Sequence, residues 1–433
     1  MVNVKNVKNT IVIIGAGASG LMAARELSAA GYPVTILEAA DRIGGRIHTI
    51  TAPGFEHPIE LGAEFVHGHL PISFALMKEA GLKQHTITGN MVRVKNGRWQ
   101  QQEDFTIDWD LLMQKLQALK EDMTMAAFLQ TRFPGDEYAA LRHSVQRFAE
   151  GFDVADINEV SAMALREEWS HEEQEQYRIE GGYGRLVAFL AQQCTDKGVA
   201  IHTGCIVKKV GWGKGRVQVS CANGQSYAGN QLIITVPVGV LHAGVTQPAG
   251  IEFEPLPEAY LQAADKIGYG PVTKLLLQFS TDFWSSYAQN PGFIISEETI
   301  GTWWTQGKPG ARMLTGWVGG PRAARLKDLD EAAIVQEGLQ SLAAIFNKTM
   351  KELQDLLIVS KAVHWQKQPF SLGAYSFDTI HTTAARRLLR QPLENTLFFA
   401  GEALYEGPSP GTVEAALTSG RDTARLLIQE KQG

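Results

Sequence analysis

The chain has 433 residues, 44% hydrophobic and 20% charged, which excludes a disordered or fibrous protein and leaves room for two domains, or for one domain with a large insertion. A net charge of −6 argues against nucleic acid as the main partner and suits a cationic one. No uninterrupted apolar run approaches the about 18–20 residues of a membrane span. Three cysteines, Cys194, Cys205 and Cys221, are too few and too scattered for a disulfide framework or a metal cluster, so a reducing compartment is expected. The N-terminal MVNVKNVKN lacks the apolar core of a secretory signal and the C-terminal QEKQG is polar. The expectation is a soluble, cytoplasmic protein without a metal or a membrane partner.

In chain order, Ile11 to Ile14 is a short all-apolar run, the pattern of a strand buried on both faces. Gly15, Gly17 and Gly20 follow as G-x-G-x-x-G, Leu21 to Ala30 reads as a helix closed by Gly31, and a second apolar run, Val34 to Leu37, ends in Glu38. This is a βαβ unit with a role for each part. Gly15 permits the tight turn, Gly17 keeps side-chain bulk away from a pyrophosphate, and Gly20 allows close packing of helix on sheet. The helix N-terminus, with Ser19 in its first turn, turns unpaired N–H groups toward phosphate. Glu38 is placed to accept from a ribose hydroxyl. Such a unit binds a dinucleotide; by itself it does not separate NAD from FAD. The Gly44-Gly45 pair calls for backbone close to something bulky, and Arg46 offers a rigid fork for phosphate.

Three stretches, GAGASG at 15–20, LEAADRIGGR at 37–46 and IELGAEFVHG at 59–68, resemble the N-terminal signature of the FAD-dependent amine oxidase family. That family includes monoamine oxidases, polyamine oxidases, L-amino-acid oxidases and lysine-specific histone demethylases. The resemblance implies FAD, with adenosine near Glu38, pyrophosphate near Ser19 and Arg46, and flavin near Gly62, Ala63, Glu64 and Phe65. It also implies that His67 stands where polyamine oxidases carry a substrate-facing histidine or acid. Ala40 departs from a basic residue that some members place near the ribose.

Residues 70–180 mix acids with leucine, methionine and phenylalanine at helical spacing, as at Leu111, Leu112, Leu116 and Leu119, interrupted at Pro134-Gly135-Asp136 and resumed over Glu137 to Glu150. This reads as a helical insertion, in which Glu167 and Glu168 fit an exposed helical face better than a cation site. Helix is expected over GGYGRLVAFLAQQC, and strands over Ala200 to Val210, Arg216 to Cys221 and Gln231 to Val236, with a hairpin turn at Asn223-Gly224. By resemblance, the backbone of Val207 touches adenine.

Lys274 stands in the otherwise apolar strand Gly270 to Phe279, a costly place for a charge without a partner. The resemblance implies that this lysine holds a water beside flavin N5. Trp284, Trp303, Trp304 and Trp317 follow in strand-rich sequence and read as core. Amphipathic helices are expected over Asp328 to Leu342 and Lys348 to Leu357.

The last stretch also carries the resemblance. Trp365 is implied to pack on the flavin and Tyr375 to form one wall of an amine cage. Ala374 takes the place of the cysteine that binds FAD covalently in monoamine oxidases, implying non-covalent FAD. Phe398 to Glu402 reads as a strand ending in a turn at Gly401-Glu402, and a helix from Gly411-Thr412-Val413 to about Glu430 is implied to face flavin O2. A second cage aromatic is missing at Thr412.

The expected fold is α/β: a Rossmann-type FAD domain assembled from residues 1–69, 186–241 and 386–433, with an α+β substrate domain from 70–185 and 242–385 and its helical insertion at about 108–180. The expected activity is oxidation of a small amine with O2 as partner. Two alternatives stand beside it: another FAD oxidoreductase on this scaffold, protoporphyrinogen-oxidase-like or desaturase-like, and a catalytically silent flavoprotein module.

Overall fold

A computed structural model describes residues 9–95, 97–101, 106–171, 175–307 and 310–429; most of the polar N-terminal stretch and the end of the chain from Glu430 lie outside these. The two apolar runs of the βαβ unit form the strands Ile11–Ile14 and Val34–Leu37, at the centre of a five-stranded sheet. Ala200–His202 flanks them on one side, and Gln231–Ile234 followed by Leu397–Phe399 on the other, every pairing parallel. Strands from three distant stretches of chain thus build one parallel sheet, whose buried apolar runs suit a sheet covered on both faces.

The helix between the first two strands, Ala18–Ala29, begins directly after Gly17 and packs along the C-terminal helix Val413–Gln429. Two glycines set how closely these elements approach. A Cβ on Gly20 would lie 2.0 Å from the Gly15 carbonyl oxygen, and one on Gly420 would lie 2.2 Å from the Ser19 carbonyl oxygen.

A second, seven-stranded sheet runs in the order Leu357–His364, Val272–Phe279, Met313–Gly319, Thr302–Thr305, Pro291–Ser296, Asn90–Lys95, Arg98–Gln101. Every residue of Val272–Phe279 is buried. One side of the sheet packs with the Glu331–Phe346 helix around Leu275, Leu277, Trp303 and Leu339. A separate apolar cluster, Leu112, Leu116, Phe128, Leu141, Phe148 and Leu165, holds together the helices Trp109–Gln117, Met125–Arg132, Ala139–Gly151 and Ala162–Ser170.

Three expectations need correction. Gln84–Thr86, Asn90–Lys95 and Arg98–Gln101 form strands rather than helix: most of their polar side chains are exposed while Val92 and Val94 reach the core. The strand expected over 200–210 is broken: Gly204, at φ +66, turns the chain so that Ala200–His202 stays in the parallel sheet and Val207–Gly213 enters a separate four-stranded one. Cys205 and Cys221 are joined in a disulfide across the antiparallel pair Val207–Gly213 and Arg216–Cys221, and Cys194 is buried and free. Sixteen residues apart in sequence, the two become neighbours only through the register of the hairpin, and their pairing removes the cysteine argument for a reducing compartment.

Gly420→Ala tests the helix contact. Helix propensity favours alanine by about 1 kcal/mol, but the atom it meets is backbone, and overpacking costs about 1–3 kcal/mol. We expect a lower melting temperature and faster loss of bound cofactor, read by thermal denaturation and by fluorescence of released flavin.

Candidate active site

The three parts of the dinucleotide motif open onto one cavity of about 830 Å³ that also reaches the seven-stranded sheet. Gly15 has φ +106, and a Cβ there would meet Thr235 Oγ1 at 2.6 Å. Nothing lies within 4 Å of where a Cβ on Gly17 would sit, so the backbone is bare toward the cavity where the helix begins. No side chain caps that helix, and the buried Ser19 Oγ has no hydrogen-bond partner. Free N–H groups and an unused hydroxyl beside an open space are a cradle for phosphate. The carboxylate of Glu38 accepts from Ala16 N at 2.7 Å and Ala40 N at 2.9 Å, which fixes its oxygens at the cavity wall with lone pairs to spare.

Arg46 Nη1 donates to Ala374 O at 2.5 Å and to Glu402 Oε1 at 2.7 Å, and Glu402 also accepts from Ser376 Oγ at 2.7 Å. Gly44 N donates to Ala16 O, laying Gly44-Gly45 alongside Gly17. Val207 and Gly401 line the cavity, as does the start of the C-terminal helix, where Thr412 Oγ1 accepts from Ala415 N at 3.1 Å.

At the opposite end, Lys274 is 1% exposed. Its Nζ donates to Glu64 Oε2 at 2.7 Å and to Gly62 O at 3.1 Å. The other oxygen of Glu64 accepts from Arg178 Nε at 2.9 Å and Trp304 Nε1 at 3.1 Å, and lies 2.7 Å from Arg178 Nη2 in an ion pair. Burial alone would raise the Glu64 pKa, but Lys274 and Arg178 outweigh it and hold the carboxyl at about 2. A Cβ on Gly62 would strike Arg46 O at 1.9 Å and Trp365 Cζ2 at 2.9 Å, so only glycine fits there. Trp365 is fixed by donation from Nε1 to Leu61 O at 2.8 Å.

Aromatic rings close this end. Tyr375 is held by a hydrogen bond from its hydroxyl to Phe152 O, and burial raises its phenol pKa well above the usual value. His67 lies edge-on to Phe65 and Phe152, and burial pushes its pKa down to about 4, leaving a neutral imidazole. Phe65 also stacks under the Arg178 guanidinium, 4.8 Å from ring centre to Cζ. Trp304 and Trp317 line the cavity, whereas Trp284 and Trp303 belong to the core; strand alternation separates the adjacent Trp303 and Trp304.

Of the catalytic and cofactor-binding residues expected from the sequence, all but Gly20 line this cavity, and Gly20 packs behind it against Gly15. Glu64 does so with its carboxylate already engaged by the two cations. Glu168 lines the cavity while Glu167 is exposed, so the helical-face expectation holds for only one of them. Arg178, Phe152 and a group of cavity-lining arginines, Arg93, Arg147 and Arg322, were not anticipated. Only the isolated charge at Lys274 hinted that a buried acid must exist.

A parallel sheet with a glycine-rich phosphate cradle, sharing its cavity with a buried lysine and an aromatic wall, defines a dinucleotide-dependent oxidoreductase. The chain belongs to the flavin containing amine oxidoreductase family, whose model matches residues 18–428. It is 28% identical to Polyamine oxidase 2 of Arabidopsis thaliana, over 98% of this chain and 89% of that one. It is 26% identical to human Lysine-specific histone demethylase 2, covering 96% of this chain and 53% of that protein. Its fold matches that of putrescine oxidase bound to putrescine (TM-score 0.80, 20% identity, 98% of this chain and 99% of that one). It also matches cyclohexylamine oxidase from Brevibacterium oxydans (TM-score 0.81, 20% identity, 98% and 100%). The cofactor is FAD, and Ala374 at the cavity wall offers it no nucleophile for a covalent link.

Glu64→Gln removes the acid between two buried cations, and breaking such a pair costs about 3–5 kcal/mol. Because the folded-state pKa lies below the unfolded value of about 4.3, the contribution of Glu64 is present above that value. It is lost as pH falls toward about 2. Urea unfolding should show a large gap between wild type and variant at pH 7 that narrows at pH 3.

Proposed function

We propose that the protein oxidises a neutral amine to an imine, which water hydrolyses to a carbonyl compound, with O2 as electron acceptor and hydrogen peroxide as the second product. The observation that carries this reading is the buried, ion-paired Lys274 sharing one cavity with Tyr375, His67 and the dinucleotide cradle. The names of relatives and structural neighbours, polyamine, putrescine and cyclohexylamine oxidases, support an amine as substrate.

Bound FAD supplies the two-electron chemistry, accepting hydride from the amine α-carbon at N5. Ser19 and Arg46 would hold the pyrophosphate, Glu38 the ribose and Val207 the adenine. Gly62 to Phe65 and Trp365 would flank the flavin ring, and the helix start at Thr412-Val413 would face its polar edge. Lys274, held by Glu64, would present an N–H to a water at the ring. Tyr375, immobilised by Phe152, presents its ring and orients the amine nitrogen. With a pKa of about 4, His67 is a weak base at neutral pH, so its part is to hydrogen-bond the amine rather than to remove its proton. Glu168 gives the cavity a negative charge that attracts an ammonium before it is deprotonated.

We further take residues 1–69, 186–241 and 386–433 as the FAD-binding domain and 70–185 with 242–385 as the substrate domain. Support comes from the sheets: the five parallel strands fall in the first set and the seven-stranded sheet falls in the second.

Anaerobic mixing with a panel of amines should bleach the flavin, and admitting oxygen should restore it with release of peroxide. Bleaching without recovery would replace O2 by another acceptor, and a flavin that no amine bleaches would remove the oxidase reading. Lys274→Met, which leaves Glu64 paired with Arg178, should retain FAD and slow reduction or reoxidation at least tenfold in stopped-flow measurements.

A further inference from the structure

The seven-stranded sheet presents one row of side chains to the cavity. Its register runs Lys274 opposite Trp317, Trp317 opposite Thr302, Thr302 opposite Ile295 and Ile295 opposite Arg93. All five residues line the cavity. Four steps between strands, at about 4.8 Å each, put Arg93 roughly 19 Å from Lys274 along the sheet.

Around that far end stand two more arginines. Arg147, on the Ala139–Gly151 helix, donates one N–H to Ser296 O at 2.6 Å. Arg322, on the Gly320–Arg325 helix, uses Nη2 for Glu298 O at 2.6 Å and Thr299 O at 3.0 Å. Each guanidinium carries five donors, so most of both forks remains for something else. The acids nearby are Glu297, 4.0 Å from Arg93 and shared with His143 at 2.8 Å, and the buried Glu150, which accepts from Gln146. Among the described residues, three guanidinium groups face these two carboxylates, with the exposed Arg325 adding to the same sign. Burial first, and then Arg147, push the Arg322 pKa down to about 10, the mark of cations crowded together.

We infer that this end of the cavity binds an anionic group, and that the preferred substrate is an elongated amine carrying a carboxylate or phosphate at the end remote from its nitrogen. Arginine forks match either oxyanion in two-point geometry. The same cluster repels the second ammonium of a diamine or polyamine, so it selects against polycations as well as for anions. The inference rests on the amine-oxidase reading for the reacting end, while the anion site stands on its own geometry.

The test compares 12-aminododecanoate, dodecylamine and 1,12-diaminododecane as reductants of the holoenzyme flavin under anaerobic conditions. The amino acid should reduce it with at least tenfold higher efficiency than the diamine, and in Arg147→Gln and Arg322→Gln its advantage over dodecylamine should fall at least tenfold. A diamine equal to or better than the amino acid overturns the proposal, as does an equal loss for all three amines in the variants. Dodecanoate and dodecyl phosphate, which have no amine to oxidise, separate this inference from the oxidase reading. One of them should perturb the flavin absorbance with a Kd weakened at least tenfold in either variant, the tighter one identifying the oxyanion. No perturbation, or one indifferent to both arginines, removes the anion site whatever the amines do. Dodecanoate or dodecyl phosphate binding with no bleaching by any amine removes the oxidase reading instead. Arg147→Lys, which keeps the charge, should recover part of the dodecanoate affinity, and melting temperatures and flavin content of all variants establish that each is folded.

Discussion

One carboxylate holds the active end of this molecule together. Glu64 arrives on the loop that follows the phosphate cradle, Lys274 on the fully buried strand Val272–Phe279 of the seven-stranded sheet, and Arg178 on the short strand Gln176–Ile179. Lys274 and Arg178 are both buried, and a buried cation without a partner is costly. Both are tolerable because Glu64 lies between them, with Trp304 completing its hydrogen bonds. Such a cluster is costly to desolvate and adds little net stability, but it is exacting about position. It therefore fixes the cofactor loop against the substrate sheet, and with it the distance between the two halves of the chemistry.

The two helix N-termini at the cavity complement that constraint. The Ala18–Ala29 and Val413–Gln429 helices pack against each other through glycine and bring both starts to the same space, but the two ends differ. The first has no side-chain cap and leaves its N–H groups open beside Ser19, whereas Thr412 already satisfies one N–H of the second. The first end is suited to a full phosphate charge, and the second to the weaker partial charge of a ring edge.

The cradle was legible in the sequence because everything it needs is local: strand, turn, helix and acid lie within Ile11 to Glu38. Lys274 was legible for the opposite reason, as a charge that its own apolar strand cannot satisfy. Its partner was not, since Glu64 looks like any acid in a glycine-rich loop until residues 64, 178 and 274 meet in space. The strands Gln84–Thr86, Asn90–Lys95 and Arg98–Gln101 were hidden by polar residues that also suit loops, and the Cys205–Cys221 pair by a register that spacing does not reveal. Arg147 and Arg322 carry no signal in the sequence, because only packing of their helices beside Ser296, Glu298 and Thr299 gathers them.

The row of residues running from Lys274 to Arg93 makes the sheet a ruler. Each strand is one graduation of about 4.8 Å, counted from Lys274. Moving a charged side chain from one strand to its neighbour along that row would change the accepted molecular length by one graduation without disturbing the fold, since the exchanged positions already face the cavity. Chain-length preference on this scaffold is in that sense quantised by hydrogen-bonded strand spacing, and relatives could diverge in substrate by substitutions far from the flavin.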